Sequence, residues 1–304
     1  FFVMTKVLKS VSGIQVGQMI GGTFDQALLK FSYPLMFVTI LQTFMHWMDI
    51  LMLGYFADAS VVGMYHPAAR TAGLLQALLL SFLSIYAPMA SQFHGEGNKE
   101  KLSSTYQLVS RWLLMCAIPI ASIFIIFPEK VLLLFGSEYV ASSQILVILT
   151  VATLTQAILG AAGPTLSMSG YTRLVLWNTI GAFILNFGLN IWLIPQYGIA
   201  GAAMATLISL TAVGLARVIE VGIILKMSFI NQKLIKPIIA GSITFGILGP
   251  LKPFLMDYHT LITLMIAGLT SVLIFGTLIW LMKIDVEDKE FLNGLGILKG
   301  LIKR

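Results

Sequence analysis

The sequence predicts an all-α integral membrane protein with about eight transmembrane helices. Two observations carry most of this prediction. Of the 304 residues, 58% are hydrophobic and only 11% charged, with a mean hydropathy of +0.91, which no ordinary soluble domain shows. Several apolar runs exceed the roughly 18 residues that suffice to cross a bilayer. A third observation, the sorting of basic residues by loop, then sets the topology.

In chain order, residues 1–32 mix lysines, Asp25 and glycines and read as an interfacial or cytoplasmic connector. No apolar core followed by a small-residue cleavage site marks a signal peptide there. Because the chain does not begin with Met, Phe1 is expected to lie inside a longer protein, with Met4 as the competing start. The first span is Tyr33 to Phe56. A loop, ADASVVGMYHPAAR, follows, with Pro67 suited to a first helical turn. The second span runs from about Thr71 to Phe93. A polar loop leads to a third span, Arg111 to Phe127, which Pro119 should kink. PEKVLLLFGSEYVASS reads as an interfacial turn. The fourth span, about Ser143 to Ser167, is interrupted by Gly160, Gly163 and Pro164. The fifth covers about Leu174 to Ile194 and the sixth about Gly201 to Lys226. These six, residues 33–226, form one expected unit. Residues 227–282 add two further spans, about Leu234 to Leu251 and Leu261 to Met282, and residues 283–304 form a charged tail.

Of the 19 Lys and Arg residues, 16 fall on one side of this parse; only Arg70, Lys130 and Lys252 fall on the other. The positive-inside rule therefore puts both chain ends in the cytoplasm. Tyr33, Trp112, Trp177 and Trp280 lie at inner boundaries, Tyr55 and Trp192 at outer ones, as interfacial aromatics should. The net charge of +6 needs no nucleic-acid partner to explain it.

The first span carries Gln42, His46 and Asp49, spaced four and three apart, which places them within about 60° on one helix face. An acid and an imidazole at membrane depth turn towards protein or a water-filled cavity. Asp49 and His46 are the candidates for ion coupling. The competing structural reading pairs Asp49 with Arg70. On the fifth span Asn178, Asn186 and Asn190 form a second stripe, suited equally to sugar hydroxyls and to bonds between helices. Gln76 and Gln156 are weaker lining candidates. Arg217 and Glu220, one turn apart, read as a local ion pair; alternatively Arg217 meets an anionic headgroup, as Arg70 and Arg173 also could. GIAGAAMATLIS, Gly198 to Ser209, has the small-residue spacing of tight helix contact.

No Walker loop, GxSxG or HExxH occurs, and the four histidines are far apart, so neither an enzyme nor a metal or cofactor is signalled. Cys116, the single cysteine, reads as apolar filler.

Four stretches in sequence carry a resemblance: LLKFSYPL leading into MDILMLGYFADASVVGMYHPAARTAGLL (Leu28 to Leu75), APMASQFHGEGNKEKLSSTYQLVSR (Ala87 to Arg111), LLLFGSEYVASSQILVIL (Leu132 to Leu149) and NFGLNIWLIPQYGIAGAAMATLIS (Asn186 to Ser209). In this order they resemble the later half of O-antigen-type polysaccharide flippases, within the multidrug/oligosaccharidyl-lipid/polysaccharide flippase superfamily. The resemblance implies a two-lobed bundle of six helices per lobe. Residues 33–226 would be the second lobe, and the missing N-terminal lobe of the same protein would be its partner. It also implies a polyprenyl-(pyro)phosphate-linked oligosaccharide as substrate, carried across the cytoplasmic membrane by alternating access. Arg70 and Arg217 would then meet phosphate, Gln42, His46, Gln156, Asn186 and Asn190 would line the cavity, and Asp49 would couple an ion. A single lobe is not expected to transport alone. The alternatives are a cation-coupled multidrug exporter of the same superfamily, and a membrane scaffold or glycan polymerase. The polymerase should show a long outer loop, which this sequence lacks.

Overall fold

A computed structural model describes residues 26–228 and 230–282. The connector before residue 26 and the tail after residue 282 lie outside the described residues. Among the described residues ten α-helices follow one another: α1 Gln26–Phe56, α2 Ala59–Gly95, α3 Lys99–Ile126, α4 Pro128–Leu133, α5 Ser143–Leu159, α6 Ala162–Met168, α7 Thr172–Tyr197, α8 Ile199–Glu220, α9 Ile235–Met256 and α10 Thr260–Leu281. Eight of these segments are long and apolar enough to span a membrane.

The helices are longer than the apolar pattern suggested. The expected loop after the first span is almost wholly helical: α2 starts at Ala59, so Pro67 sits inside it rather than in its first turn. Arg70 therefore lies about 16 Å along the helix instead of at its mouth. At 37 residues α2 reaches about 55 Å, against a hydrocarbon layer of about 30 Å. Its polar ends continue the helix beyond the apolar layer, where hydropathy cannot see them. The polar loop before the third span is likewise mostly α3, which starts at Lys99 with Asn98 Oδ1 accepting from the Lys101 amide.

The fourth span does break where its glycines and proline fall: α5 ends at Leu159 and α6 begins at Ala162. Between α7 and α8 the chain reverses through Gly198 alone, at φ 56° and ψ −133°, a conformation closed to residues with a Cβ. Gly201 then packs directly on the Leu193 backbone, and Ala202, Ala203 and Ala205 are fully buried, as the small-residue spacing predicted.

The body is built by α1 on α7, α7 on α8, α8 on α5, and α5 on α2 and α3. Helices α9 and α10 pair with each other and lie against α3. Ser122 and Ser271 hydroxyls, 2.8 Å apart, join α3 to α10, and both reach the Pro119 carbonyl. One apolar cluster includes Leu75, Leu79, Leu102, Leu113 and Leu166. A second gathers Leu53, Tyr65, Leu132, Leu146 and Ile194. Outside, Tyr55, Trp177, Trp192 and Trp280 are all more than half exposed. Tyr33 and Tyr55 are separated by about 33 Å of helix, close to the thickness two aromatic belts should bracket.

Candidate functional site

Asp49 lies on α1, buried to 6% exposure, where α1 meets α2, α7 and α8. Its carboxylate accepts three hydrogen bonds, one from each neighbouring helix. Tyr65 of α2 donates to Oδ2 at 2.8 Å, Thr206 of α8 to the same oxygen at 2.6 Å, and Asn190 of α7 to Oδ1 at 3.1 Å. Asn190 also donates to Asn186 Oδ1 at 3.1 Å, and Asn186 reaches Thr206 Oγ1 at 3.5 Å. Three donors replace much of the water that an ionised carboxylate loses on burial. The Asn190 Oδ1 oxygen is buried and accepts nothing. The cluster is thus all-oxygen on its acceptor side, with the Asn190 carbonyl oxygen unused.

The first-span stripe is split along its length rather than around the helix. Asp49 and, one turn on, Leu53 are buried, whereas Gln42 and His46 are exposed. Val38, one turn before Gln42, is buried too, so the face lies open only in the stretch between Val38 and Asp49. His46 sits edge-on to Trp47 at 5.9 Å. Asp49 has no ion pair with Arg70, so the competing structural reading gives way to the three-donor cluster. Arg70 is exposed instead, its guanidinium 5.5 Å from the Trp47 ring centre and its Nε 3.3 Å from His66 Nε2. Trp47 lies about 12 Å inward of Tyr55 along α1, so this arginine is at membrane depth on an open face.

The asparagine stripe divides. Asn186 and Asn190, 1% and 0% exposed, join Asp49, whereas Asn178 donates to Glu220. No ion pair within 4 Å joins Glu220 to Arg217 among the described residues. Arg217 donates to Thr179 Oγ1 at 3.0 Å, and its Nη1 would lie 3.2 Å from a Cβ at Gly163. It stays near the opposite end of the bundle from Asp49, as its place at the end of α8 requires. Gln156 is half-buried on α5 and its side chain makes no hydrogen bond among the described residues. The structure thus brings together Asp49, Asn186 and Asn190, and leaves Gln42, His46, Arg70, Gln156 and Arg217 outside the cluster.

Two members were not singled out from sequence. Tyr65 falls in the stretch that the apolar pattern reads as a loop, and Thr206 in the small-residue run that it reads as helix packing. For Tyr65, the helical spacing of Val61, Tyr65, Ala68 and Ala72 was the available signal.

The described residues thus hold eight helices long and apolar enough to cross a membrane, with a buried polar cluster where four of them meet. The chain belongs to the MatE family, whose model matches residues 34–192. It is 25% identical over 251 residues to the probable low-salt glycan biosynthesis flippase Agl15 of Haloferax volcanii, covering 82% of this chain and 53% of that protein. It is 30% identical over 176 residues to the probable flippase AglR of the same organism, covering 54% and 35%. An uncharacterized membrane protein of Methanocaldococcus jannaschii, MJ1068, is 27% identical over 205 residues, covering 64% and 39%. The chain spans about half the length of these relatives or less. Among solved structures, an outward-facing multidrug resistance MATE transporter of the MOP superfamily matches with TM-score 0.56 at 16% identity, over 85% of this chain and 65% of that one. A MOP superfamily transporter from Pyrococcus furiosus matches with TM-score 0.52 at 16% identity, over 86% and 64%. At that identity the likeness establishes the fold.

Proposed function

We propose that this chain is the second lobe of a flippase that moves polyprenyl-(pyro)phosphate-linked oligosaccharide across the cytoplasmic membrane by alternating access, with both chain ends cytoplasmic. The remainder of the protein supplies the first lobe. The observation that carries the reading is Arg70: a guanidinium at membrane depth, on an exposed face, with no carboxylate paired to it among the described residues. Lipid does not tolerate such a group, so this face borders a wet cavity. Its charge suits a phosphate, which guanidinium binds through parallel hydrogen bonds, and repels an organic cation. On the neighbouring α1 the exposed Gln42 and His46 offer hydrogen bonds to sugar. Two of the relatives bear flippase names, one in glycan biosynthesis. Asp49 is the coupling group of this proposal: burial makes its bare negative charge costly, which favours an arriving proton or small cation, and the unused Asn190 oxygen adds a ligand for the cation.

The test is exposure of a lipid-linked oligosaccharide to the opposite leaflet of proteoliposomes holding the full-length parent. Wild type should expose the sugar, Arg70→Gln should not, and Asp49→Asn should lose the response to an imposed ion gradient. Export of organic cations with no movement of lipid-linked sugar would replace this reading with a multidrug exporter.

A further inference from the structure

A second site lies at the end of the bundle away from Asp49, where the first turns of α1 and α7 meet. An open groove of about 610 Å³ is lined there by Lys30, Phe31, Tyr171, Thr172 and Arg173. The chain reaches it through Gly170, whose φ of 88° lets α6 turn into α7 within three residues. Lys30 and Arg173 come from different helices, are both exposed, and have no ion-pair partner among the described residues. Thr172 lines the groove beside them, and its hydroxyl makes no hydrogen bond among the described residues. Two unpaired cations from different helices and a threonine hydroxyl around a single open volume call for an anion with several acceptor oxygens.

The depth identifies the source of that anion. Tyr33 lies three residues from Lys30, and Trp177 four residues from Arg173, each one turn along the same helix. They are 39% and 69% exposed, the placing of aromatics at a headgroup boundary. Leu28 and Leu29, 64% and 44% exposed, offer the adjoining surface an acyl chain would cover. We infer that this groove binds the phosphate headgroup of a membrane lipid in the leaflet at that end. The inference goes beyond the flippase reading and does not rest on it, since a phospholipid and a polyprenyl phosphate present the same chemistry.

The experiment uses the full-length protein in phosphatidylcholine nanodiscs doped with phosphatidylglycerol or with polyprenyl phosphate, and native mass spectrometry of the lipids it retains. Wild type should retain the anionic lipid, and which of the two is held more tightly names the source. Lys30→Gln with Arg173→Gln should cut retention about thirtyfold, two surface cations being involved. Thr172→Val should lower it less, and the charge-keeping swap Lys30→Arg with Arg173→Lys should restore it. Lys99→Gln with Lys101→Gln, at the same end but off the groove, should leave it unchanged. Equal retention by wild type and the groove variant overturns the inference. So does an equal loss in the Lys99/Lys101 control, which would make the effect one of bulk surface charge. Displacement of the lipid by inorganic phosphate alone overturns the lipid as the ligand.

Discussion

Replacing Tyr65 by phenylalanine removes one oxygen and one hydrogen bond while keeping the ring that packs against Leu53 and Leu146. Tyr65 is 2% exposed and donates to Asp49 Oδ2 at 2.8 Å, so the substitution leaves that oxygen with Thr206 as its only donor. Two magnitudes compete. Hydrogen bonds to charged groups are worth about 1.5–3 kcal/mol in soluble proteins. Bonds between transmembrane helices average only about 0.6 kcal/mol, with a ceiling near 1.7. The lower figure applies where the freed group finds another partner. Here the seat is buried and its other two donors are already committed, so the upper part of the membrane range, about 1.5 kcal/mol, is the expected cost. At about 2–4 °C per kcal/mol for a chain of this size, Tm should fall by about 3–6 °C. Cys116, the sole thiol and partly buried on α3, makes the assay direct: a fluorogenic maleimide reports unfolding as the thiol opens. The stronger test is a cycle with Asp49→Leu. If Tyr65 acts through Asp49, the double variant should cost less than the sum of the singles by about 1 kcal/mol, because losing both partners strands neither. Additivity within about 0.3–0.5 kcal/mol would refute the cluster as described.

Other expectations follow from single observations. Gly198→Ala forces a Cβ into φ 56°, ψ −133°, and should cost about 1–3 kcal/mol in the same thermal assay. Gly163→Ala should be milder, because the Cβ would meet the Arg217 guanidinium end at 3.2 Å and a flexible side chain can retreat; Gly163→Leu should be clearly destabilising. Arg70→Gln should leave Tm unchanged while abolishing lipid-linked sugar exposure, since the side chain is exposed and holds no buried partner. A parallel fall in Tm and activity would assign Arg70 to the fold instead.

Parts of the site were legible because a polar residue in an apolar run is conspicuous. Asp49, Asn186 and Asn190 stand out in spans whose other positions, Gln42, His46 and Asn178 apart, suit lipid. Tyr65 and Thr206 do not, because tyrosine and threonine are ordinary at helix boundaries and packing faces. Nothing local marks which of them turns towards a carboxylate 16 or 157 residues away. The Arg217–Glu220 pair shows the reverse error: helical spacing made them neighbours, yet Asn178 and Thr179 of α7 reach them first.

The sequence alone determined the class, the approximate spans, the break at Gly160 to Pro164 and the tight α7–α8 approach. These depend on transfer of apolar residues to lipid and on backbone geometry, both of which are local. Tertiary structure decided where α2 and α3 begin, because a helix continues past the apolar layer wherever its neighbours hold it. It also decided that Asp49 is sealed while Gln42 and His46, on the same face, stay open. Helical periodicity assigns a residue to a side of its helix, but only the packing of α2, α7 and α8 determines how far along that side the bundle closes.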